Sequence, residues 1–445
     1  MNKVTLPGIL SNTQKVKVEE KPKAEEQQES PIVKTDGGTD STKIRFIVWK
    51  GAIEAWKNNP ILGTGVETFA FAYYKYRPAE HNLVSEWNFL YNKAHNEYLN
   101  FLATTGILGL GTYLALIGIF LWKATKKIIK AKEIDNEYYI AISLVAAYVS
   151  ILITNFFGFS VVNVNTFFFL IPAFFLTVTN SLPDKFFIFG KGLNKDKNQL
   201  SAIQIVGGSV TFVIAIFSIV TLVNFWQADI SYSLGSNLNK TGEYQQAYQL
   251  LHEAVRKRPN EPVFQDEMAM NSAIMAVVVS SQKQENGKSS TGSAELAQNF
   301  IDEAINTSNK VVKDHPKNVV FRKTQVRIYY TLAQINPSFM PLAVEEIKKA
   351  KELAPTDANI SYNLGVLTGQ NGNPEKAIEI LKETVKLKND YRDAYYALGV
   401  FYNQVGKDQG NTEYKKLAVE QMEFILKHIS SEDKAAKDAL DTWID

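Results

Sequence analysis

The hydrophobic positions of this chain are concentrated in four long runs that contain no charged residue. They lie at 99–122, 138–159, 161–182 and 201–226, and both flanks of this region are rich in Lys, Glu, Gln and Asn. At about 1.5 Å per residue, a helix over the first run would be roughly 36 Å long, which exceeds the hydrocarbon core of a bilayer. The pattern therefore predicts four transmembrane helices over these ranges.

The lysines next to these runs predict how the helices are oriented. They follow the first and third runs, at Lys123, Lys126, Lys127, Lys130, Lys132, Lys185, Lys191, Lys195 and Lys197. Lysine clusters in short loops mark the cytoplasmic side of a membrane protein. With four spans, this rule places the segment before Leu99, the turn at 160–165 and everything after Trp226 on the extracytoplasmic side.

Residues 1–40 are polar, with KVKVEEKPKAEEQQES at their centre. Their apolar residues are too few to bury a core, and we expect this segment to be disordered. It also contains no apolar stretch of signal-peptide length. If the following region lies outside the cell, we expect one of two arrangements. Either an upstream membrane segment is encoded elsewhere, or the first apolar helix and its lysines place the region unaided.

Residues 41–98 are amphipathic and aromatic, and we expect them to form an extracytoplasmic loop domain. A helix is predicted from Ser41 to Asn58, and its apolar side holds Phe46, Trp49, Ile53 and Trp56. A glycine-rich turn, PILGTG, follows, and after it an aromatic segment at 69–76. Tyr and Trp at this density are typical of the membrane–water interface and equally of a small aromatic core.

Composition excludes several classes of function. The net charge of +2 gives no dominant basic surface, which argues against nucleic acid as a partner. The chain has no cysteine, so disulfides and thiolate metal sites are excluded. No cluster of His, Asp and Glu has the spacing of metal ligands, and neither a metal nor a cofactor is predicted.

From Gln227 onward the chain repeats with a period of 34 residues. Leu-Gly pairs recur at 234–235, 364–365 and 398–399, and small residues and prolines recur in the same frame. These are Ala247, Leu251, Ala254, Pro259, Ala304, Pro316, Ala343, Ile347, Ala350, Pro355, Ala377 and Leu381. The pattern resembles the tetratricopeptide repeat, a helix–turn–helix unit in which small residues let paired helices approach closely.

Residues 227–445 are therefore expected to form an α-solenoid, with a capping helix over 431–445. Three departures from the repeat pattern are visible. Asn389 replaces the terminal proline of one unit, 284–292 is predicted to be an inserted loop, and the last unit gains several residues near 406–411. The predicted fold class is all-α: a bundle of four transmembrane helices at 99–226, followed by the solenoid.

His95 is the first candidate for chemistry, because it precedes the point where the first apolar run leaves the membrane. A lone histidine is usually structural. This one precedes Asn96, a good N-cap, so the free amides of a helix N-terminus would face the extracytoplasmic surface. Such an end attracts anions, phosphates included. Imidazole is also a suitable proton acceptor near neutral pH.

Positively charged residues around His95 are further candidates. Arg45 reads most simply as a surface charge on an amphipathic helix, but a guanidinium beside a helix N-terminus would suit bidentate binding of a diphosphate. Asn96, Arg77 and Lys93 could contribute to binding the diphosphate or the glycan. Glu97 is either a base or a favourable charge in the first turn of a helix, and we favour the second interpretation.

Three stretches resemble the O-antigen ligase/polymerase family. They are Arg45-x-x-x-Trp49, PILGTGVETF at 60–69, and AHNEYLNFLATTGILG at 94–109, and the resemblance covers roughly residues 41–182. Members of this family are integral membrane glycosyltransferases of the bacterial inner membrane that take a glycan from an undecaprenyl-diphosphate carrier. The resemblance implies that His95 takes part in catalysis by activating an acceptor hydroxyl, that Arg45 holds the diphosphate, and that no metal is needed.

The same resemblance implies the partners. These are an undecaprenyl-diphosphate-linked glycan, a lipid or protein acceptor, and proteins bound by the repeats, since fusion to extracytoplasmic repeats is a known family arrangement. Family members carry about eight or more membrane helices before this loop, so the chain reads as the C-terminal portion of such an enzyme. A separately encoded N-terminal membrane half is then a further partner. The alternative function is a non-catalytic, membrane-anchored scaffold for assembly of the cell envelope.

Overall fold

The computed structural model describes residues 38–181, 202–285 and 291–444, and the secondary structure within these ranges is helical, without strands. The predicted all-α fold class is confirmed for this part of the chain. The predicted disorder of residues 1–37, most of the predicted loop at 284–292 and the lysines at 185–197 lie outside the described residues. All of the candidate site residues lie within the first described range.

The chain forms two compact units. The membrane unit comprises Ser41–Pro78 and the described residues of Leu90–Leu222. The repeat unit comprises the described residues up to Asp40, the segment Ala79–Phe89, and the described residues from Val223 onward. The chain therefore leaves the membrane unit after Pro78, contributes eleven residues to the repeat unit, and re-enters the membrane unit at Leu90.

The membrane unit begins with two helices that precede the apolar runs, α1 (Ser41–Asn58) and α2 (Phe69–Tyr76). The predicted apolar side of α1 is only partly buried. Ile44, Val48 and Ala52 face the core, whereas Phe46 is 55% exposed. Size explains this difference. The aliphatic side chains pack against the core, and the larger aromatic rings lie at the margin of the helix.

Four apolar helices follow: α3 (Glu97–Ile129), α4 (Asn136–Phe157), α5 (Val162–Val178) and α6 (Ala202–Thr241). Three of them have the length and composition to cross a membrane, namely Glu97–Ile129, Asn136–Phe157 and Ile205–Thr241. The remaining apolar helix, α5, has only 17 residues. The expected count of four spans is thus approximate for the described residues, because one apolar helix falls below spanning length.

Aromatic rings hold α3, α4 and α5 together. Tyr113 and Tyr148 stack on Phe168 at centroid distances of 5.2 and 5.1 Å, and Phe120 meets Phe175 edge to face at 5.6 Å. All five side chains are buried. Flat rings packed this closely give the three helices a common core.

The repeat unit consists of antiparallel helix pairs that continue from the end of α6. They are α7 (Tyr244–Lys257), α8 (Pro262–Glu285), α9 (Thr291–Asp314), α10 (Val319–Leu332), α11 (Phe339–Leu353), α12 (Ala358–Gln370), α13 (Pro374–Leu387), α14 (Arg392–Asp408) and α15 (Thr412–Phe424). A last helix, α16 (Lys434–Ile444), packs on Met422 and Ile425. The small positions of the repeat, such as Ala247, Ala304 and Ala343, are fully buried. The architecture is an α-solenoid of tetratricopeptide type.

The segment Ala79–Phe89 is bound within the repeat unit by polar contacts. Asn82 is fully buried, its side-chain amide donates to the Thr356 carbonyl at 2.8 Å, and its own carbonyl accepts from Lys388 Nζ at 3.1 Å. Lys388 also lies over the Trp87 ring, whose edge meets Tyr391 at 5.1 Å. These contacts join an early segment of the chain to the fourth and fifth helix pairs.

Two buried ionisable side chains lie between α8 and α10. Asp266 and Arg327 are close enough to influence one another, yet they form no ion pair with each other within 4.0 Å. Burial raises the pKa of the Asp266 carboxyl to about 7, opposed by a hydrogen bond with Thr324. Burial likewise lowers the pKa of the Arg327 guanidinium. The interior of the solenoid is therefore sensitive to pH at this point.

We predict that Lys388→Ala loosens the segment 79–89. The change removes the bond to the Asn82 carbonyl and the cation over Trp87, contacts that together contribute on the order of 1–2 kcal/mol. Peptide-level hydrogen exchange on the full chain in detergent should then accelerate about 5- to 30-fold within 79–89. Lys386→Ala, an exposed lysine on the same helix, is the matched control. Equal hydrogen-exchange rates within 79–89 in the two variants would contradict the role of Lys388 in holding this segment.

A second prediction concerns Asp266. Between the ordinary value of 3.8 and about 7, the folded chain binds more protons at this carboxyl than the unfolded chain does. The free energy of unfolding should therefore fall as the pH rises through this window. Asp266→Asn should flatten that dependence and raise Tm above pH 7 relative to the parent, measured by thermal unfolding in detergent. The exposed control Asp314→Asn should behave like the parent, and a parent-like pH profile in Asp266→Asn would refute the prediction.

Candidate functional site

The candidate site is built on a break in α3. Gly106 has φ 65° and ψ −166°, so the helix is interrupted there although its two parts continue one another. The loop 60–65, which is the PILGTG sequence, pairs with the broken ends. Thr64 N donates to the Ala103 carbonyl at 3.0 Å, and Gly65 N to the Thr104 carbonyl at 2.8 Å.

The same loop also supplies acceptors to the second part of the helix. The amide of Ile107 donates to the Pro60 carbonyl at 2.9 Å, and the amide of Leu108 to the Ile61 carbonyl at 3.3 Å. Backbone groups that a helix break leaves open are costly when buried, and here the loop satisfies them. The break is thus a defined backbone junction between two segments about 40 residues apart.

Two glycines make the junction possible. A Cβ on Gly106 would lie 2.3 Å from the Ile61 oxygen, and a Cβ on Gly63 would lie 2.3 Å from the Thr104 carbonyl carbon. Both residues also have positive φ, at 65° and 66°. Since L-residues rarely adopt this conformation and no side chain fits, only glycine suits either position. The junction fixes where the first part of α3, Glu97–Thr105, begins.

His95 lies immediately before that first part, in a left-handed conformation with φ 53°. Its half-buried imidazole is held between two rings, Tyr91 at 5.5 Å and Phe159 at 5.2 Å, both meeting it edge to face. A non-glycine residue at positive φ carries backbone strain that the surroundings must maintain. The histidine is therefore fixed in direction, and its ring remains partly open.

Glu97 lies in the first turn of α3, as the favoured interpretation requires, but it is buried there. Its side chain is buried, with 5% exposure, and it accepts the backbone amide of Ser160. The Ser160 hydroxyl in turn donates to Asn155 Oδ1 at 2.8 Å. One carboxylate oxygen, Oε2, has no hydrogen-bond partner among the described residues. Glu97 thus ties the turn between α4 and α5, which includes Phe159, to the start of α3.

The predicted binding residues are used in different ways. Asn96 is buried, and its side chain accepts from the Leu99 amide at 3.0 Å, so it caps α3 as predicted. Lys93 contacts both carboxylate oxygens of Glu67, at 2.6 and 2.5 Å. Its charge is therefore largely compensated within the protein. Arg77 ends α2 and is 6% exposed.

Arg45 has a different environment. It is half-buried on α1 and forms no hydrogen bond or ion pair with any residue that the structure describes. It shares a helix face with Trp49, one turn later. Trp49 meets Phe156 at 6.0 Å, and Phe156 lies 6.4 Å from Tyr98. The Arg45 face of α1 is therefore linked to the first turn of α3 through α4, without direct contact between Arg45 and His95.

Sequence reasoning missed Glu67, Tyr91, Phe159 and Asn155 as neighbours of the candidate residues. Tyr91 could have been predicted as a neighbour of His95, because it precedes His95 by only four residues. Phe159 and Asn155 lie in an apolar run, and nothing in the sequence indicates their contacts. In the described ranges, no group of three or more His, Asp or Glu side chains is arranged to hold a metal ion.

The fold and the site together define a helical membrane protein with an α-solenoid. Residues 4–114, about a quarter of the chain, match the family model described as O-antigen ligase. The resemblance predicted from the motifs is confirmed, with a matched range that begins earlier and ends within α3. Over residues 4–114 the chain is thus similar to the O-antigen ligase family, and helix pairs with tetratricopeptide-type spacing follow its apolar helices.

Comparison with other proteins adds only weak likenesses. No curated protein matches the chain. The repeat protein TTC0263 of Thermus thermophilus is 16% identical, with a TM-score of 0.32 over 49% of this chain and 98% of that one. MamA from Desulfovibrio magneticus RS-1 is 21% identical, with a TM-score of 0.34 over 47% and 98%. The assignment of the repeats rests on their 34-residue spacing and their helix pairs.

We predict that Gly106→Ala destabilises the membrane unit. The added Cβ meets the Ile61 oxygen, and alanine at this φ is strained, so a loss of about 1–3 kcal/mol or more is expected. Thermal unfolding in detergent, followed by circular dichroism, should show a lower Tm. Gly111→Ala is the control, because a Cβ there meets nothing within 4 Å and alanine favours a helix. A Tm for Gly106→Ala equal to that of the control would contradict the junction.

Proposed function

We propose that this chain takes part in transferring a glycan from an undecaprenyl-diphosphate carrier to an acceptor hydroxyl, as the C-terminal portion of an O-antigen ligase-like enzyme. The observation that carries the proposal is the O-antigen ligase match at residues 4–114, which contains both Arg45 and His95. Each of these side chains also has the environment that such a role requires.

His95 suits the role of general base. A fixed, partly open imidazole can take the proton of an acceptor hydroxyl while its oxygen attacks the anomeric carbon. As this bond forms, the bond between the anomeric carbon and the diphosphate breaks, and undecaprenyl diphosphate departs with the electron pair. Glu97 is a positioning residue in this scheme. It holds the Ser160 amide and thereby the neighbouring Phe159 ring against the imidazole.

Arg45 suits the role of anion binder. A half-buried guanidinium that has no partner among the described residues is costly, and a diphosphate would supply two oxygens in the geometry that the guanidinium fork prefers. Lys93 is less suitable, because it already forms an ion pair with Glu67. Asn96 contributes by capping α3, whose N-terminal amides favour negative charge nearby. Arg77 is buried, which makes it less accessible to the carrier than Arg45.

The repeat unit would recruit the acceptor or a partner protein on the extracytoplasmic side. In this arrangement the His95 loop and the repeats share that compartment of a bacterial inner membrane. A separately encoded membrane half would complete the carrier site. Segment 79–89 lies close to His95 in the sequence and is bound within the repeat unit, which supports a functional relation between the His95 loop and the repeats.

We predict that His95→Ala abolishes glycan transfer, with a loss on the order of 10²–10⁴-fold, because the proton acceptor is removed. The assay uses membranes that contain the full chain, the membrane half that completes the carrier site, the lipid-linked glycan and its acceptor. Protein amount and membrane insertion should match the parent. His252→Ala, an exposed histidine on the repeats, should transfer normally.

Normal transfer by His95→Ala would refute the catalytic role. The scaffold alternative would then stand if deletion of 227–445 removed function while His95 remained dispensable. The point variant is the sharper test, because the deletion also removes the residues that bind segment 79–89.

A further inference from the structure

The loop between α1 and α2 exposes an apolar surface. Residues 60–66, PILGTGV, contain no charge. Ile61, Leu62 and Val66 are 60%, 71% and 75% exposed. Isolated apolar residues on a surface need no explanation, but three within seven residues form a continuous patch. We call residues 60–66 the apolar loop.

The position of the apolar loop is fixed by the span that it binds. Its backbone is hydrogen-bonded to residues 103–108 of α3. From Gly106 onward α3 is an apolar membrane helix, and its first two residues after the break, Ile107 and Leu108, are 57% and 56% exposed. The apolar loop therefore lies at the level where the helix enters the bilayer. Its patch is continuous with the lipid-facing surface of α3.

Several backbone groups of the apolar loop are hydrogen-bonded within the protein. The amides of Gly63, Thr64 and Gly65 donate to the carbonyls of Asn59, Ala103 and Thr104. The carbonyls of Pro60 and Ile61 accept from α3. Proline has no amide to satisfy. Irregular backbone is tolerated next to hydrocarbon only where its polar groups are paired internally, and this loop meets that condition at these positions.

We propose that the apolar loop inserts into the lipid bilayer, with Ile61, Leu62 and Val66 in contact with acyl chains at the boundary of headgroups and hydrocarbon. The occupant of this surface is lipid. An interfacial segment of this kind gains its affinity from the apolar area that it buries. The insertion is independent of glycan transfer, and it would hold the glycine junction at a fixed depth.

The absence of cysteine makes a direct test possible. Leu62→Cys in the full chain is labelled with a nitroxide and reconstituted into vesicles of phosphatidylethanolamine and phosphatidylglycerol. Collision with oxygen, which concentrates in hydrocarbon, is compared with collision with a water-soluble nickel complex. Leu114→Cys, 46% exposed within the span, is the lipid reference. Lys57→Cys, an exposed residue on the last turn of α1, is the water reference.

We expect the Leu62 probe to collide readily with oxygen and poorly with nickel, as the Leu114 probe does. Nickel access equal to that of the Lys57 probe would overturn the proposal, because the loop would then face water. Low collision with both reagents would also overturn it, because the loop would then be covered by protein. If Leu62→Cys does not incorporate into vesicles, Val66→Cys replaces it, with the same criteria.

Discussion

The backbone pairing between loop 60–65 and the break at Gly106 is the constraint on which the candidate site depends. A continuous helix from Glu97 to Ile129 would satisfy its own carbonyls and amides and would leave no role for the loop. Because the helix is broken, Ala103, Thr104, Ile107 and Leu108 take partners from the loop instead. These hydrogen bonds set the direction of the first part of α3, and therefore the position of His95, which immediately precedes it.

The charged candidate residues differ in whether the described part of the protein already binds them. Lys93 is matched by Glu67, and Glu97 is withdrawn from water and bound to the Ser160 amide. Arg45 has no such partner among the described residues. A site that binds a diphosphate needs a cation that is not already neutralised by the protein, and Arg45 meets this requirement better than Lys93 does.

The apolar runs and the repeat could be predicted because both depend on local or periodic composition. The helix break could not, because Gly106 lies in an uncharged run, ATTGILG, that reads as continuous helix, and its partner lies about 40 residues away. The same reason applies to Glu97. Its position in the first turn could be predicted, whereas its burial and its hydrogen bond with Ser160, which lies beyond the next span, could not. The role of a single residue cannot be predicted from the sequence when its partner is distant in the chain and belongs to no recognisable motif.

The long sequence separations in the repeat unit have a consequence for biosynthesis. Asn82 is bound to Thr356, 274 positions later, and to Lys388, 306 positions later. At roughly 5–20 residues per second, the ribosome needs about 15 to 60 s to deliver those partners. During that interval the Trp87 ring and the Asn82 amide are without their final contacts. The nascent chain therefore completes this attachment late, after most of the solenoid has been synthesised.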